Sequence, residues 1–90
     1  MAAPYALPPM AKPVIHVMDM RKHPSLEVAR IGKTDITFSY MYGDEGPFTV
    51  SVPYEELAAK PVTVQNEVLK KYVQAAQAER LGWKGREIPI

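Results

Sequence analysis

The chain has 90 residues, nine prolines, no cysteine and a net charge of +1, which leaves room for one small domain. A chain this short buries only about 60% of its unfolded surface, so it is marginally stable without a staple. Disulfides are excluded, and no His/Cys cluster offers a structural zinc site, so association with itself or with a larger assembly is the staple that remains.

Residues 1–13 carry Pro4, Pro8, Pro9 and Pro13. Each fixes φ, removes a backbone donor and pushes its predecessor towards extended conformations, so the segment is expected to be an extended arm. No basic stretch precedes an apolar run as in a signal peptide, and no run of about 18 apolar residues occurs. The expectation is a protein that is not exported, cytoplasmic or virion-associated, with no membrane contact.

The domain proper is expected over residues 14–83. Val14–Met20 is short, apolar and partly β-branched, which predicts a strand, and Arg21–Ser25 breaks it. Leu26–Ile31 fits either a strand or a short helix capped by Ser25. The strand is favoured because Gly32–Lys33 turns the chain into the next one. From Asp35 to Tyr42, the residues Ile36, Phe38, Tyr40 and Tyr42 alternate with Thr37, Ser39 and Met41. Gly43–Pro47 is expected as the turn, after which Phe48, Val50 and Val52 alternate with Thr49 and Ser51. This hairpin has one apolar-aromatic face that needs a covering layer.

The last third supplies the cover. Pro53 suits a first helical position with Glu55 and Glu56 behind it, and Pro61 ends that turn. Thr63 is expected to cap a helix from Val64 to Leu81, with Gly82 as a left-handed stop. Val64, Val68, Leu69, Tyr72, Val73 and Ala76 form its apolar stripe, and Glu67, Lys70, Lys71, Gln74 and Gln77 its polar side. Leu81 and Trp83 fall outside the stripe; folding back on the core is favoured, and anchoring a partner is the alternative. The fold class is therefore α+β: an antiparallel sheet of three to four strands, a C-terminal helix on one face, the arm, and a tail over residues 84–90.

The charge is partitioned. Residues 1–33 hold Lys12, Arg21, Lys22, Arg30 and Lys33 against Asp19 and Glu27, a net +3. Residues 34–59 hold Asp35, Asp44, Glu45, Glu55 and Glu56 and no base, and residues 60–90 return to +3. Beside an ordinary solvated surface, this suits basic ends of one copy meeting the acidic hairpin, with Asp44 and Glu45 at its tip, of the next.

Catalysis has poor candidates. Both histidines lie in the first quarter, no serine sits in a glycine-rich elbow, and Gly43 and Gly46 bracket two carboxylates that would repel phosphate. His16, Met18 and Met20 at alternate positions of one strand resemble the soft ligand set of periplasmic copper-binding modules. Methionine beside Val and Ile is more commonly core filler, and a His16/Asp19/His23 set is weaker because alternation throws Asp19 to the opposite face. No metal or cofactor is assigned.

For nucleic acid, Lys70, Lys71 and Gln74 share a helix face, and Lys84 and Arg86 follow Trp83, but five acids interrupt the middle. In Ile88-Pro89-Ile90 the proline holds the chain extended, so both isoleucines can plug adjacent apolar pockets beside a sheet edge. The tripeptide resembles the C-terminal Ile-x-Ile motif by which small heat-shock proteins dock on a neighbouring subunit; that family's sandwich would leave no place for the helix, so only the mode of docking carries over.

The function expected is a non-enzymatic interaction or assembly protein, a structural or connector subunit of a larger complex such as a virus or phage particle. Its protein partner is another copy of itself or another subunit, reached through Pro8, Pro9, Asp44, Glu45, Leu81, Trp83, Ile88 and Ile90. The alternatives are a nucleic-acid-binding accessory factor and a small inhibitor acting through the acidic hairpin.

Overall fold

A computed structural model describes residues 14–90. The expected arm over residues 1–13, with Pro8 and Pro9, lies outside the described residues. Three antiparallel strands, β1 (Ile15–Pro24), β2 (Thr34–Tyr42) and β3 (Glu45–Pro53), form a sheet in the order β1-β2-β3. A single helix, α1 (Val62–Trp83), follows and covers one face, so the architecture is the α+β arrangement expected, with three strands.

The hairpin forms because cross-strand neighbours on one face are all large and apolar. Ile36 pairs with Val52, Phe38 with Val50 and Tyr40 with Phe48, the last two rings lying 5.8 Å apart. The turn is tighter than the five residues expected. Gly43, at φ 63, and Asp44 close it alone, and Glu45, Gly46 and Pro47 belong to β3.

The core consists of Ile36, Tyr40 and Val52 from the sheet, Leu57 from the connection, and Leu69 and Val73 from α1. Val68 and Tyr72 flank this contact half-buried, but Val64, counted in the apolar stripe, is exposed. Gln77, assigned to the polar side, is buried instead. Its amide donates to the Tyr40 hydroxyl at 2.9 Å and its carbonyl oxygen accepts from Arg80, so every polar group it brings inward is partnered.

Four local expectations are corrected. The first strand is not broken at Arg21: Arg21–Pro24 continue β1 because each pairs with a residue of β2 between Thr37 and Thr34. Leu26–Ile31 is not a strand: it is a loop with one 3-10 turn, Val28–Arg30, pinched shut where Ser25 N–H donates to the Lys33 carbonyl at 2.9 Å and Gly32 takes φ 85. The helix begins at Val62, preceded by Pro61 at φ −60, and Thr63 makes no cap. At the other end α1 runs through Gly82 to Trp83, because the Lys84 N–H still reaches the Arg80 carbonyl. The left-handed glycine is Gly85, at φ 84.

Strand β1 holds an irregularity. Val17 pairs with Tyr40 and Asp19 with Ser39, so Met18 is an extra residue against consecutive partners on β2. The bulge reverses the alternation. Ile15, Val17, Met20 and Lys22 share the helix-facing side, opposite Tyr42, Tyr40, Phe38 and Ile36, while His16, Asp19, Arg21 and His23 share the open face.

Candidate functional site

The bulge dissolves the copper reading. His16 pairs with Met41 on the open face and Met20 with Phe38 on the helix face, so the two cannot share one ion. It also reverses the objection to His16/Asp19/His23, since those three now lie on one face. Even so, no group of three His, Cys, Asp or Glu side chains among the described residues is arranged to hold a metal. The Asp19 carboxylate is engaged with the Met20 N–H at 2.8 Å, and the His23 Nε2 lies 2.6 Å from the Thr37 hydroxyl.

Most of the acidic middle segment is matched within the chain. Arg30 joins Asp35 at 2.8 Å and Glu55 at 2.5 Å and also donates to the Thr34 carbonyl, tying the 26–31 loop to the start of β2 and to the short 3-10 turn Tyr54–Glu56. The Arg30 guanidinium holds the Glu55 carboxyl down to about 2, and hydrogen bonding from Ser25 and Arg30 holds Asp35 below its ordinary value despite burial. Arg30 itself is pushed further up. Glu56 accepts from the Tyr72 hydroxyl, which raises that phenol to about 12. Glu45 pairs with Arg80 at 3.0 Å, and the Arg80 guanidinium lies over the Phe48 ring. Of the two hairpin-tip acids, only Asp44 makes no ion pair among the described residues. The charge partition therefore acts largely inside one molecule.

The predicted partner residues at the other end stay in solvent. Leu81 and Trp83 do not fold back on the core; they project from the last turn of α1 and are more than half exposed. Arg86 lies over the Trp83 ring at 4.1 Å, donates to the Gly82 carbonyl at 2.7 Å, and so folds the start of the tail onto the helix end. Ile88 and Ile90 extend beyond it, exposed.

The structure adds a feature that sequence periodicity did not expose. α1 packs mainly over β3, so among the described residues Val17 and Met20 on the helix-facing side of β1 stay exposed and Ile15 is part-buried. Two adjoining cavities of about 400 and 340 Å³ result. The first is walled by Val17, Met20, Phe38, Leu57 and Leu69, the second by Ile15, Val17, Tyr42 and Leu69. Val17, Asn66 and Leu69 border both, so they form one groove between β1 and α1. Lys22 and Lys70 flank it, and no carboxylate lines it. The one sequence signal near it is the apolar run Val14–Met20.

The opposite, open face of the sheet is a broad shallow trough floored by Thr37, Ser39, Thr49 and Ser51 and rimmed by Arg21, His23 and Leu26. Leu26, Val28 and Ile31 project from the adjoining loop almost fully exposed. No described helix is long and apolar enough to cross a membrane. Comparison of the chain with protein-family models, with curated proteins and with solved structures finds no match.

Proposed function

We propose that the protein is a non-enzymatic assembly subunit, a structural or connector element that binds copies of itself or other subunits of a larger complex. The observation that carries this reading is the imbalance between core and surface. Among the described residues six hydrophobic side chains are buried, while thirteen large ones are exposed. Ten of the thirteen fall in three segments, β1, the 26–31 loop and Leu81 to Ile90, with Val14 just ahead of β1 and Val62 and Val64 on the first turn of α1. Apolar surface gathered in this way marks interaction sites, and a domain with so small a core gains most from a partner that covers it.

The competing readings have weaker support. For nucleic acid, Lys70 and Lys71 are exposed, but Arg86 already covers one face of the Trp83 ring that would stack a base. For an acidic inhibitor, Glu45 is already paired with Arg80. Sedimentation of the full chain from low micromolar to near-millimolar concentration tests the proposal. A mass that climbs with concentration, or a stable complex with another subunit, is expected. A constant monomer mass together with salt-sensitive binding to single-stranded nucleic acid would move the assignment to the nucleic-acid reading.

A further inference from the structure

We infer that Thr37 is a nucleophile activated by His23 in the open trough of the sheet, and that it takes up an acyl group from an activated carboxylic ester. Neither residue belongs to the exposed apolar set on which the assembly reading rests, so the failure of either leaves the other intact.

The arrangement follows from the strand register. His23 stands opposite Asp35 and diagonal to Thr37 on the open face, and a cross-strand diagonal is within reach of an imidazole. Its Nδ1 lies 2.8 Å from the Pro24 carbonyl oxygen, and its Nε2 lies 2.6 Å from Thr37 Oγ1. A carbonyl oxygen can only accept, so Nδ1 carries the ring proton. In the neutral ring Nε2 is then the bare nitrogen, and the Thr37 hydroxyl donates to it. With its own proton committed there, Thr37 Oγ1 accepts from the Ser51 hydroxyl at 2.8 Å. Each hydrogen bond linking Ser51, Thr37, His23 and Pro24 thus has one direction.

A hydroxyl bonded to a base, with the base oriented by a third group, is the signature of an activated nucleophile. The base is not occupied elsewhere. Asp35, opposite it, is paired with Arg30, and His23 makes no ion pair among the described residues. Space for a substrate is present, since Thr37, His23, Arg21 and Ser51 line one trough of about 660 Å³. Arg21 stands opposite Thr37 and makes no ion pair among the described residues, which leaves a cationic donor for the negative charge that develops on the ester oxygen. Asp19, the carboxylate of the trough, is engaged by the Met20 N–H.

The step balances without an oxidant or reductant. Thr37 Oγ1 forms a bond to the acyl carbon while its proton passes to His23 Nε2. The bond from that carbon to the leaving alkoxide breaks, and Nε2 gives the proton to the alkoxide. An ester on Thr37 and a free alcohol result.

The test treats the full chain with p-nitrophenyl acetate and reads acetylation residue by residue by peptide mass spectrometry after an acid quench. Thr49 is the internal reference: it lies on the same face, is more exposed than Thr37, and has no imidazole bonded to it among the described residues. Thr37 should be acetylated faster than Thr49, although accessibility alone gives the opposite order. His23→Gln should slow the reaction at Thr37 about 100-fold and leave that at Lys70, exposed on α1, unchanged. Thr37→Ser should retain it. Labelling of Thr37 no faster than Thr49, or at an equal rate in folded His23→Gln, would overturn the inference. The two threonines are compared in the wild type, so the result decides even where the His23 variant does not fold.

Discussion

The side-chain amide of Gln77 donates to the buried hydroxyl of Tyr40 across 2.9 Å, linking the last third of β2 to the last third of α1. Among the described residues this is the buried polar bridge between sheet and helix, the Arg80–Glu45 pair crossing at the exposed rim. Gln77→Leu leaves the phenol buried without a partner and should cost about 1–3 kcal/mol of stability. Tyr40→Phe should cost about 1 kcal/mol, and the double variant less than the two singles together, because no group is then left unpartnered. Urea titration of the four proteins measures the cycle.

Acid should weaken the fold at the Arg30 cluster. Asp35 and Glu55 are both held below their ordinary values, so their contribution is complete above the normal carboxylate range and is lost as pH falls from about 4 towards about 2. In Arg30→Met the melting temperature should be modestly lower at neutral pH and should fall less across that interval than in the wild type. Thermal melts at a series of pH values distinguish the two profiles.

An alkaline limb is expected from Tyr72. Its pKa is raised to about 12 by Glu56, so the stabilisation is intact below about 10 and declines as pH climbs to 12. Tyr72→Phe should cost about 1 kcal/mol at neutral pH and remove that decline. Melting temperatures between pH 9 and about 11.5 provide the comparison.

Gly46 should resist substitution more than Gly32. Both have positive φ, 134 and 85, but a Cβ on Gly46 would meet Met41 Sδ at 2.9 Å and the Tyr40 carbonyl at 3.1 Å, while one on Gly32 meets nothing within 4 Å. Gly32→Ala should cost about 1–2 kcal/mol from backbone conformation alone. Gly46→Ala should cost more than that and disturb the Tyr40–Phe48 contact, visible in aromatic circular dichroism.

The hairpin was legible because alternation at Ile36, Phe38, Tyr40 and Phe48, Val50, Val52 is written in residue type. The helix was legible in its centre and not at its ends, where a carbonyl at Arg80 still within reach of Lys84 outweighed the stop expected at Gly82. Gln77 misled because a polar side chain on a core-facing position declares itself only through its partner, and Tyr40 lies 37 residues away. The 26–31 loop misled for a related reason: its apolar residues look like strand positions, but the Arg30 ion pairs and the Ser25–Lys33 closure decide its path. The β1/α1 groove was the least legible feature. It depends on the bulge at Met18 and on the lateral offset of α1, neither of which leaves a mark in periodicity.

The bulge at Met18 has a mechanical consequence for anything that docks beside it. A regular edge is an endless rail along which a flat strand of any length can zip, the starting condition for fibrils. Here the rail is interrupted after Val17, and Asp19 occupies the first donor beyond the gap. The edge thus works as a gauge that admits a few residues and halts the rest. A chain with so much exposed apolar surface is in this way guarded against runaway strand stacking.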